Sequence, residues 1–351
     1  MLETMLKERK LPSFLEREKM LKVLLEEEYG FLPPVPDNIR FEETEPFIPN
    51  FCAGKAISKK TQIISKWGKK EFSFPCYVSI PKKEGKHPFF VCINFRDNVP
   101  DRYIPVEEII DNGFGVISFC YQDVTSDSDD FTDGLAGVLY ENGVRGKCDA
   151  GKIAMWAWAA HRVMDYAQTL DNLDLNCSTV CGHSRLGKTA LLAAATDERF
   201  QFAYSNDSGC CGAAISRGKI GESVKRICNV FPFWFCERFL KYKECEETMP
   251  FDQHYLLASI APRHVYIASA LEDTWADPDS EMLSCVVVSE VFEKYGKTGF
   301  VCEDRLPQAG DTYHEGTVGY HLREGLHYFG REDWLKAMKY IKKHRKTHEE
   351  C

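Results

Sequence analysis

Several features are missing from this chain of 351 residues, and each absence removes a class of function. No apolar run approaches the roughly 20 residues a membrane helix requires; the longest, such as residues 89–95, are strand length. No excess of positive charge exists either. The 44 lysines and arginines face 53 aspartates and glutamates, a net charge of -9, and phosphate binding needs a basic face, so nucleic acid is not an expected partner. The 15 cysteines include no C-x-x-C pair, and the adjacent Cys210-Cys211 cannot readily serve one tetrahedral zinc, so neither a metal nor another cofactor is expected. Their odd number and scatter through a long chain favour reduced thiols over a disulfide scaffold. Internal repeats, low-complexity tracts and dividing linkers are absent too, which predicts one domain over residues 1–351, with residues 1–40 as a helical extension. The first 30 residues alternate charges with leucines and hold no uninterrupted apolar stretch. As written this is no secretory signal, so a cytoplasmic setting is expected, and a secreted one if the natural chain starts further upstream.

What is present is a chain rich enough in apolar residues, at 44%, to bury a large core. After the stiff Pro33-Pro34-Val35-Pro36 break, alternation through Gln62-Ile63-Ile64, Phe72-Ser73-Phe74 and Tyr77-Val78-Ser79-Ile80 predicts an antiparallel entry into a sheet. From Pro88 onward apolar strand runs at 89–95, 115–121, 178–181 and 265–270 alternate with helical stretches at 150–170, 189–195, 279–295 and 331–343. Strands alternating with helices imply a largely parallel sheet covered on both faces, hence an α/β three-layer sandwich. The basic stretch Lys339 to Lys346 reads as a solvated terminal helix.

Residues 182–189, Gly182-His183-Ser184-Arg185-Leu186-Gly187-Lys188-Thr189, fit two incompatible chemistries. As G-x-x-x-x-G-K-[ST] they are formally a phosphate-binding loop, and as a glycine, an apical serine and a later glycine they are a hydrolase nucleophile elbow. A phosphate loop turns its N–H groups inward and favours small residues in the middle, where this chain carries His183, Ser184, Arg185 and Leu186. An elbow needs a small residue at 182 for the tight turn and a glycine beyond the serine for close helix packing. This chain departs from G-x-S-x-G only in placing its second glycine at 187. Position favours the elbow as well, because acids and a histidine follow Ser184 in chain order. Asp123, which follows an apolar strand, lies before the octapeptide and suits a magnesium-binding role poorly.

A serine hydroxyl becomes a good nucleophile when a histidine accepts its proton and a carboxylate holds that histidine. His327, in a loop between a strand-like stretch and the last helix, is the expected base, with His321 and His314 as neighbours in reserve. His254 and His264 read as packing residues. For the acid, Asp273 follows the 265–270 strand and Asp207 follows the strand before it; Asp207 also fits a plain turn and Asp277-Pro278 a turn initiator.

With these residues in order, the chain resembles the glucuronoyl esterases, family 15 of the carbohydrate esterases, especially the bacterial members. The likeness runs from about Pro88 to Trp334. It rests on Gly182-His183-Ser184-Arg185-Leu186-Gly187-Lys188, similar to the family's G-[CH]-S-R-x-G-K elbow, and on Asn206-Asp207-Ser208-Gly209. Further matches are Pro250-Phe251-Asp252-Gln253-His254, Ile260-Ala261-Pro262-Arg263, Trp275-Ala276-Asp277-Pro278 and Gly319-Tyr320-His321-Leu322-Arg323. It implies an α/β-hydrolase fold and hydrolysis of a carbohydrate ester, one between a (4-O-methyl-)glucuronic acid carboxyl and an alcohol, as in lignin–glucuronoxylan linkages or oligosaccharides derived from them. The phosphate-loop match is then a coincidence. In that scheme Ser184 attacks, His327 moves the proton, Asp273 or Asp207 is the acid, and Arg185 meets the oxyanion. Lys188, Glu222 and Trp275 are implied sugar contacts, against which Glu222 also reads as a first-turn helix residue and Trp275 as core. Many relatives carry glutamate where this chain has Asp207, one methylene shorter, which places Asp273 first. An acetyl-xylan or other carbohydrate esterase would use the same triad, and a nucleotide-binding protein is the alternative from a different class.

Overall fold

The computed structural model describes residues 1–45 and 48–345. Ten strands, β1 (Asn38–Glu45), β2 (Ala56–Trp67), β3 (Lys70–Pro81), β4 (His87–Asn94), β5 (Gly115–Cys120), β6 (Leu173–His183), β7 (Phe202–Asn206), β8 (His264–Ala270), β9 (Thr312–Tyr313) and β10 (Val318–Arg323), form one sheet. Their order is β1-β2-β3-β5-β4-β6-β7-β8-β10-β9. The expected antiparallel entry is there: β1, β2 and β3 are antiparallel neighbours and β3 meets β5 antiparallel, while β5, β4, β6, β7, β8 and β10 run parallel. The parallel register brings the C-terminal ends of β6, β7, β8 and β10 to one edge, where an open α/β sheet presents its ligands.

The helices are α1 (Leu2–Arg9), α2 (Arg17–Leu24), α3 (Val106–Asp111), α4 (Gly134–Leu139), α5 (Lys152–Ala167), α6 (Arg185–Thr196), α7 (Val224–Val230), α8 (His254–Ala258), α9 (Pro278–Lys294) and α10 (Arg331–His344). Alternation along a strand separates two cores. Phe89, Val91 and Ile93 of β4 face the cluster built with α5, α6, α8 and α9, whereas Phe90 and Cys92 face the cluster holding Ile109 of α3 and Trp334, Met338 and Ile341 of α10. Both faces of the parallel strands are therefore covered, which is why β4, β5 and β10 read as continuous buried runs and not as alternating ones.

The predicted helix boundaries shift by a few residues, and two differences carry meaning. The N-terminal stretch is not one helix: α1 and α2 are separated at residues 10–16, and the segment is tied down by Arg17 Nε donating to the Ser259 carbonyl at 2.7 Å and by Tyr29 Oη donating to the Cys211 carbonyl at 2.9 Å. The helix expected at 189–195 begins at Arg185, directly after the serine. The basic terminal stretch is helical to His344 and Lys346 lies outside the described residues. Among the described residues every cysteine is a free thiol, the Cys210 and Cys211 sulfurs lying 3.8 Å apart, and no helix is long and apolar enough to cross a membrane.

Candidate active site

Ser184 sits between the last residue of β6 and the first of α6, with φ 59° and ψ -128°. An L residue holds such a backbone at a cost of roughly 1–3 kcal/mol, so neighbouring contacts must impose it. They do. Ser184 N–H donates to the Asn206 carbonyl on β7 at 2.9 Å, and its own carbonyl accepts from Gly187 and Lys188 N–H at 2.9 and 3.2 Å. The two glycines have the roles their positions suggest: a Cβ on residue 182 would lie 2.2 Å from the Leu186 carbonyl oxygen, and one on residue 187 would lie 2.8 Å from Ser205 Oγ and 3.0 Å from Ser208 Cβ. The first removes room for the turn, the second for packing α6 on β7. Helix geometry leaves the first N–H groups of α6, beginning with Arg185, without an intrahelical acceptor next to the serine.

His327 lies in the loop between β10 and α10, and its Nδ1 is 2.6 Å from Asp273 Oδ2. Burial pushes the Asp273 carboxyl up, but the hydrogen bond and charge of His327 outweigh it and hold the carboxyl below its ordinary value. Its other oxygen accepts from Ala276 N–H at 3.2 Å, fixing the loop after β8. Asp207, the other candidate acid, is buried and pairs with Arg323 Nη2 at 3.2 Å. Burial and the nearby Glu281 carboxyl push it well above its ordinary value, because Arg323 is shared with Asp333 and offsets only part of that cost. Asp207, Asp273 and His327 offer atoms within 4.8 Å of one another. That spacing would suit a divalent cation, yet Arg323 places a fixed positive charge on Asp207 and His327 Nδ1 already faces Asp273, so the set fits a hydrogen-bonded relay better than a metal.

The reserve histidines are elsewhere. His321 is fully buried between Asp333 and Tyr266, and His314 bonds the same Tyr266 hydroxyl at 2.8 Å. His254 bonds the Pro12 carbonyl, and His264 stacks on Phe202.

Ser184, His327 and Asp273 line one cavity of about 320 Å³ together with Arg185, Lys188, Asp207, Glu222, Trp234 and Trp275. Trp275 is 51% exposed and not core, and Glu222 precedes Ser223, the N-cap of α7, so it is not a first-turn residue. Lys188 Nζ donates to the carbonyls of Ser208 and Cys210 and lies 3.8 Å from Glu222, so most of its donor capacity is spent within the protein. The Arg185 guanidinium pairs with Asp127 through Nη1 and packs 4.8 Å from the Trp234 ring, 5.6 Å from Phe231 and 5.8 Å from Phe95, while its Nε is buried without a partner in the protein.

The family model described as "Glucuronyl esterase, fungi" matches residues 63–296, two thirds of the sequence. The chain belongs to the glucuronyl esterase family. Its relatives include a "Carbohydrate esterase MZ0003" of an unknown prokaryotic organism, 41% identical over 231 residues, 65% of this chain and 53% of that protein. A second is a "4-O-methyl-glucuronoyl methylesterase" of Podospora anserina, 28% identical over 272 residues, 74% of this chain and 52% of that one. The chain thus spans about half the length of these two relatives. Among solved structures, a glucuronoyl esterase from Solibacter usitatus superposes with a TM-score of 0.85 at 29% identity, covering 95% of this chain and 98% of that one. A promiscuous esterase of carbohydrate esterase family 15 from a marine bacterial metagenome gives 0.83 at 31% identity, covering 94% and 91%. These likenesses carry the α/β-hydrolase fold expected from the sequence.

The candidate site also contains residues that sequence reasoning missed. His183, treated only as bulk in the octapeptide, is buried with Nδ1 2.6 Å from Asn206 Oδ1, and its ring centroid is 4.3 Å from that of His327. Burial and the adjacent His327 push it down to about 3, so it stays neutral. Asp127, in a loop, and Trp234, at the end of a single 3-10 turn (Pro232–Trp234), hold Arg185 and carry no periodic signal, and only the fold brings them together.

Proposed function

We propose that this protein is a serine esterase that hydrolyses esters of glucuronic acid through an acyl-enzyme. The observation that carries the reading is the His327–Asp273 pair at 2.6 Å, sharing a cavity with a serine on a strained strand-to-helix turn in a chain of this family. Ser184 Oγ attacks the uronoyl carbonyl while His327 Nε2 takes its proton. Asp273 keeps the proton of the imidazole on Nδ1 and steadies the imidazolium that forms. The alkoxide oxygen of the tetrahedral intermediate is met by Arg185 N–H at the head of α6, a donor worth roughly 3 kcal/mol when well aimed. The fixed charge of the Arg185 guanidinium, already paired with Asp127, adds to the field without having to reorganise. His327 then hands its proton to the leaving alcohol, and water repeats the sequence in reverse. In the acyl cavity Glu222, backed by Lys188, accepts from sugar hydroxyls, and the exposed Trp275 ring forms an apolar wall. The substrate's uronate ester follows the name of the Podospora anserina relative, a 4-O-methyl-glucuronoyl methylesterase.

The test is steady-state hydrolysis of methyl glucuronate and of an acetylated xyloside by the wild type and Ser184→Ala. Turnover of the glucuronate ester that disappears with the hydroxyl is expected. Turnover of the acetyl ester alone would replace the substrate while keeping the mechanism, and glucuronate turnover undiminished in Ser184→Ala would remove the mechanism.

A further inference from the structure

His327 stands on an untied stretch of chain. Among the described residues neither Leu326 nor His327 makes a main-chain hydrogen bond, and the His327 side chain is 42% exposed. Its hydrogen bond to Asp273 Oδ2 at 2.6 Å fixes Nδ1 but leaves the ring free to turn about that contact. Nothing intrinsic stops the turn, because the last torsion of a histidine side chain is broad. Nε2 must nevertheless stay beside the reacting carbon through proton transfers in both halves of the reaction, and a ring keeps such an aim only when packing locks it. A second support is needed.

His183 supplies it. Its ring centroid lies 4.3 Å from that of His327 with the planes 39° apart, and among the described residues this is the only ring contact His327 makes. The supporting ring is itself immobilised. His183 is the last residue of β6, is 3% exposed, and donates from Nδ1 to Asn206 Oδ1 at 2.6 Å. Tyr103 at 5.4 Å, Phe329 at 6.1 Å and Phe95 at 6.2 Å between centroids pack around it. The Asn206 main-chain carbonyl also accepts from Ser184 N–H at 2.9 Å, so one residue of β7 sets both the turn that carries the nucleophile and the plate on which the base lies. Because His183 stays neutral, its ring face attracts the imidazolium that forms on His327 where a charged ring would repel it. We propose that His183 is a positioning residue whose ring holds the face of His327 and keeps Nε2 beside Ser184 in acylation and deacylation alike. The inference rests on the esterase reading above and deepens it by naming what holds the base.

The experiment compares the wild type with His183→Leu, which keeps the bulk of the side chain and loses the planar face, and with His183→Phe, which keeps a face. Both variants leave Asn206 Oδ1 without its donor, so their melting temperatures should fall by similar amounts and a difference in rate between them belongs to the ring. Stopped-flow acylation with a chromogenic glucuronate ester and hydrolysis of the acyl-enzyme it leaves are measured separately. His183→Leu should slow both steps by about tenfold, the range of a lost aromatic pair, with KM within twofold of wild type. His183→Phe should stay within threefold of wild type in both steps. A loss confined to acylation would make His183 a contact of the departing alcohol and overturn the proposal. Equal rates for the two variants, or a raised KM with both rates intact, would overturn it as well, and in each case the esterase reading stands. A wild type that turns over no glucuronate ester overturns both.

Discussion

Asp273→Asn and Asp207→Asn separate two buried carboxyls that lie side by side, and the structure gives them different costs. Asp273 Oδ2 accepts from His327 Nδ1 at 2.6 Å, and Oδ1 accepts from Ala276 N–H at 3.2 Å. In Asp273→Asn the amide oxygen stays with the Ala276 N–H, which can only donate, so the amide NH2 turns to His327 Nδ1. The imidazole then has to accept at Nδ1 and carry its proton on Nε2, and the nitrogen facing Ser184 has no lone pair to receive the serine proton. A wrong tautomer of this kind lowers kcat by about 10⁴-fold, close to 5 kcal/mol of transition-state stabilisation. Asp207 bonds Arg323 and not His327, and Arg323 keeps Asp333 and the carbonyls of Tyr328 and Glu324 when it is lost. Asp207→Asn should therefore cost less than tenfold. Pre-steady-state acylation with a chromogenic glucuronate ester reads the chemical step directly, with circular dichroism establishing that both variants fold. A loss in Asp207→Asn that matches or exceeds that in Asp273→Asn would refute the assignment of the acid.

Three further outcomes follow from particular contacts. Gly187→Ala drives a methyl group to within 2.8 Å of Ser205 Oγ, so α6 must lift from β7; thermal melting should fall by the equivalent of about 1–3 kcal/mol and kcat should fall with it, and a wild-type melt would contradict the packing argument. Trp275→Ala removes an exposed wall of the acyl cavity, so KM for a glucuronate ester should rise by roughly tenfold, about 1.4 kcal/mol, with no change in melting temperature. Glu281 is buried beneath the site, accepting from Gly209 N–H at 2.8 Å and from Ser269 Oγ at 2.6 Å, and burial pushes its carboxyl from 4.5 up to about 7. Across that window the native state holds a proton the unfolded chain has lost, so this group's contribution is complete below 4.5 and is lost as pH rises through about 7. The melting-temperature advantage of wild type over Glu281→Gln should shrink between pH 5 and pH 8; an advantage that grows would reverse the sign.

Periodicity made the fold legible because a parallel sheet buried on both faces writes its strands as apolar runs, and β4, β5 and β8 stand out for that reason. The break in the N-terminal stretch was written in the sequence and overlooked: Pro12 lacks an N–H and disfavours helix at the residue before it, so α1 ends at Arg9, and α2 resumes at Arg17, which docks on Ser259. In the site, Ser184, His327 and Asp273 were legible because chain order and loop position constrain them. Asp207 stayed an alternative because a one-dimensional pattern cannot say which of two strand-end aspartates an arginine from β10 will claim. Arg323 and Asp333 make that decision through contacts 116 and 10 residues apart in the chain. The role of His183 was hidden for another reason. Its ring packs on His327 from across 144 residues, and nothing in its local sequence distinguishes that contact from bulk.

The octapeptide's double meaning has a physical resolution in one lysine. A phosphate loop requires the lysine at its seventh position to reach forward, with free donors, to the anion that the loop N–H groups surround. Lys188 does the opposite. It is buried, and its Nζ is taken by the Ser208 and Cys210 carbonyls behind the cavity, with Glu222 as its remaining neighbour. The same Ser208 stretch bonds Glu281, and the Cys211 carbonyl accepts from Tyr29, so the lysine ties α6 to a loop that the N-terminal segment also braces. An anion placed at the octapeptide would have to strip that lysine from two carbonyls and leave both unsatisfied in a buried site, at about 1–3 kcal/mol each. Titration with ATP and magnesium should accordingly leave the melting temperature where it was. A saturable rise would mean that the lysine exchanges partners after all, and that the turn serves phosphate as well as an ester.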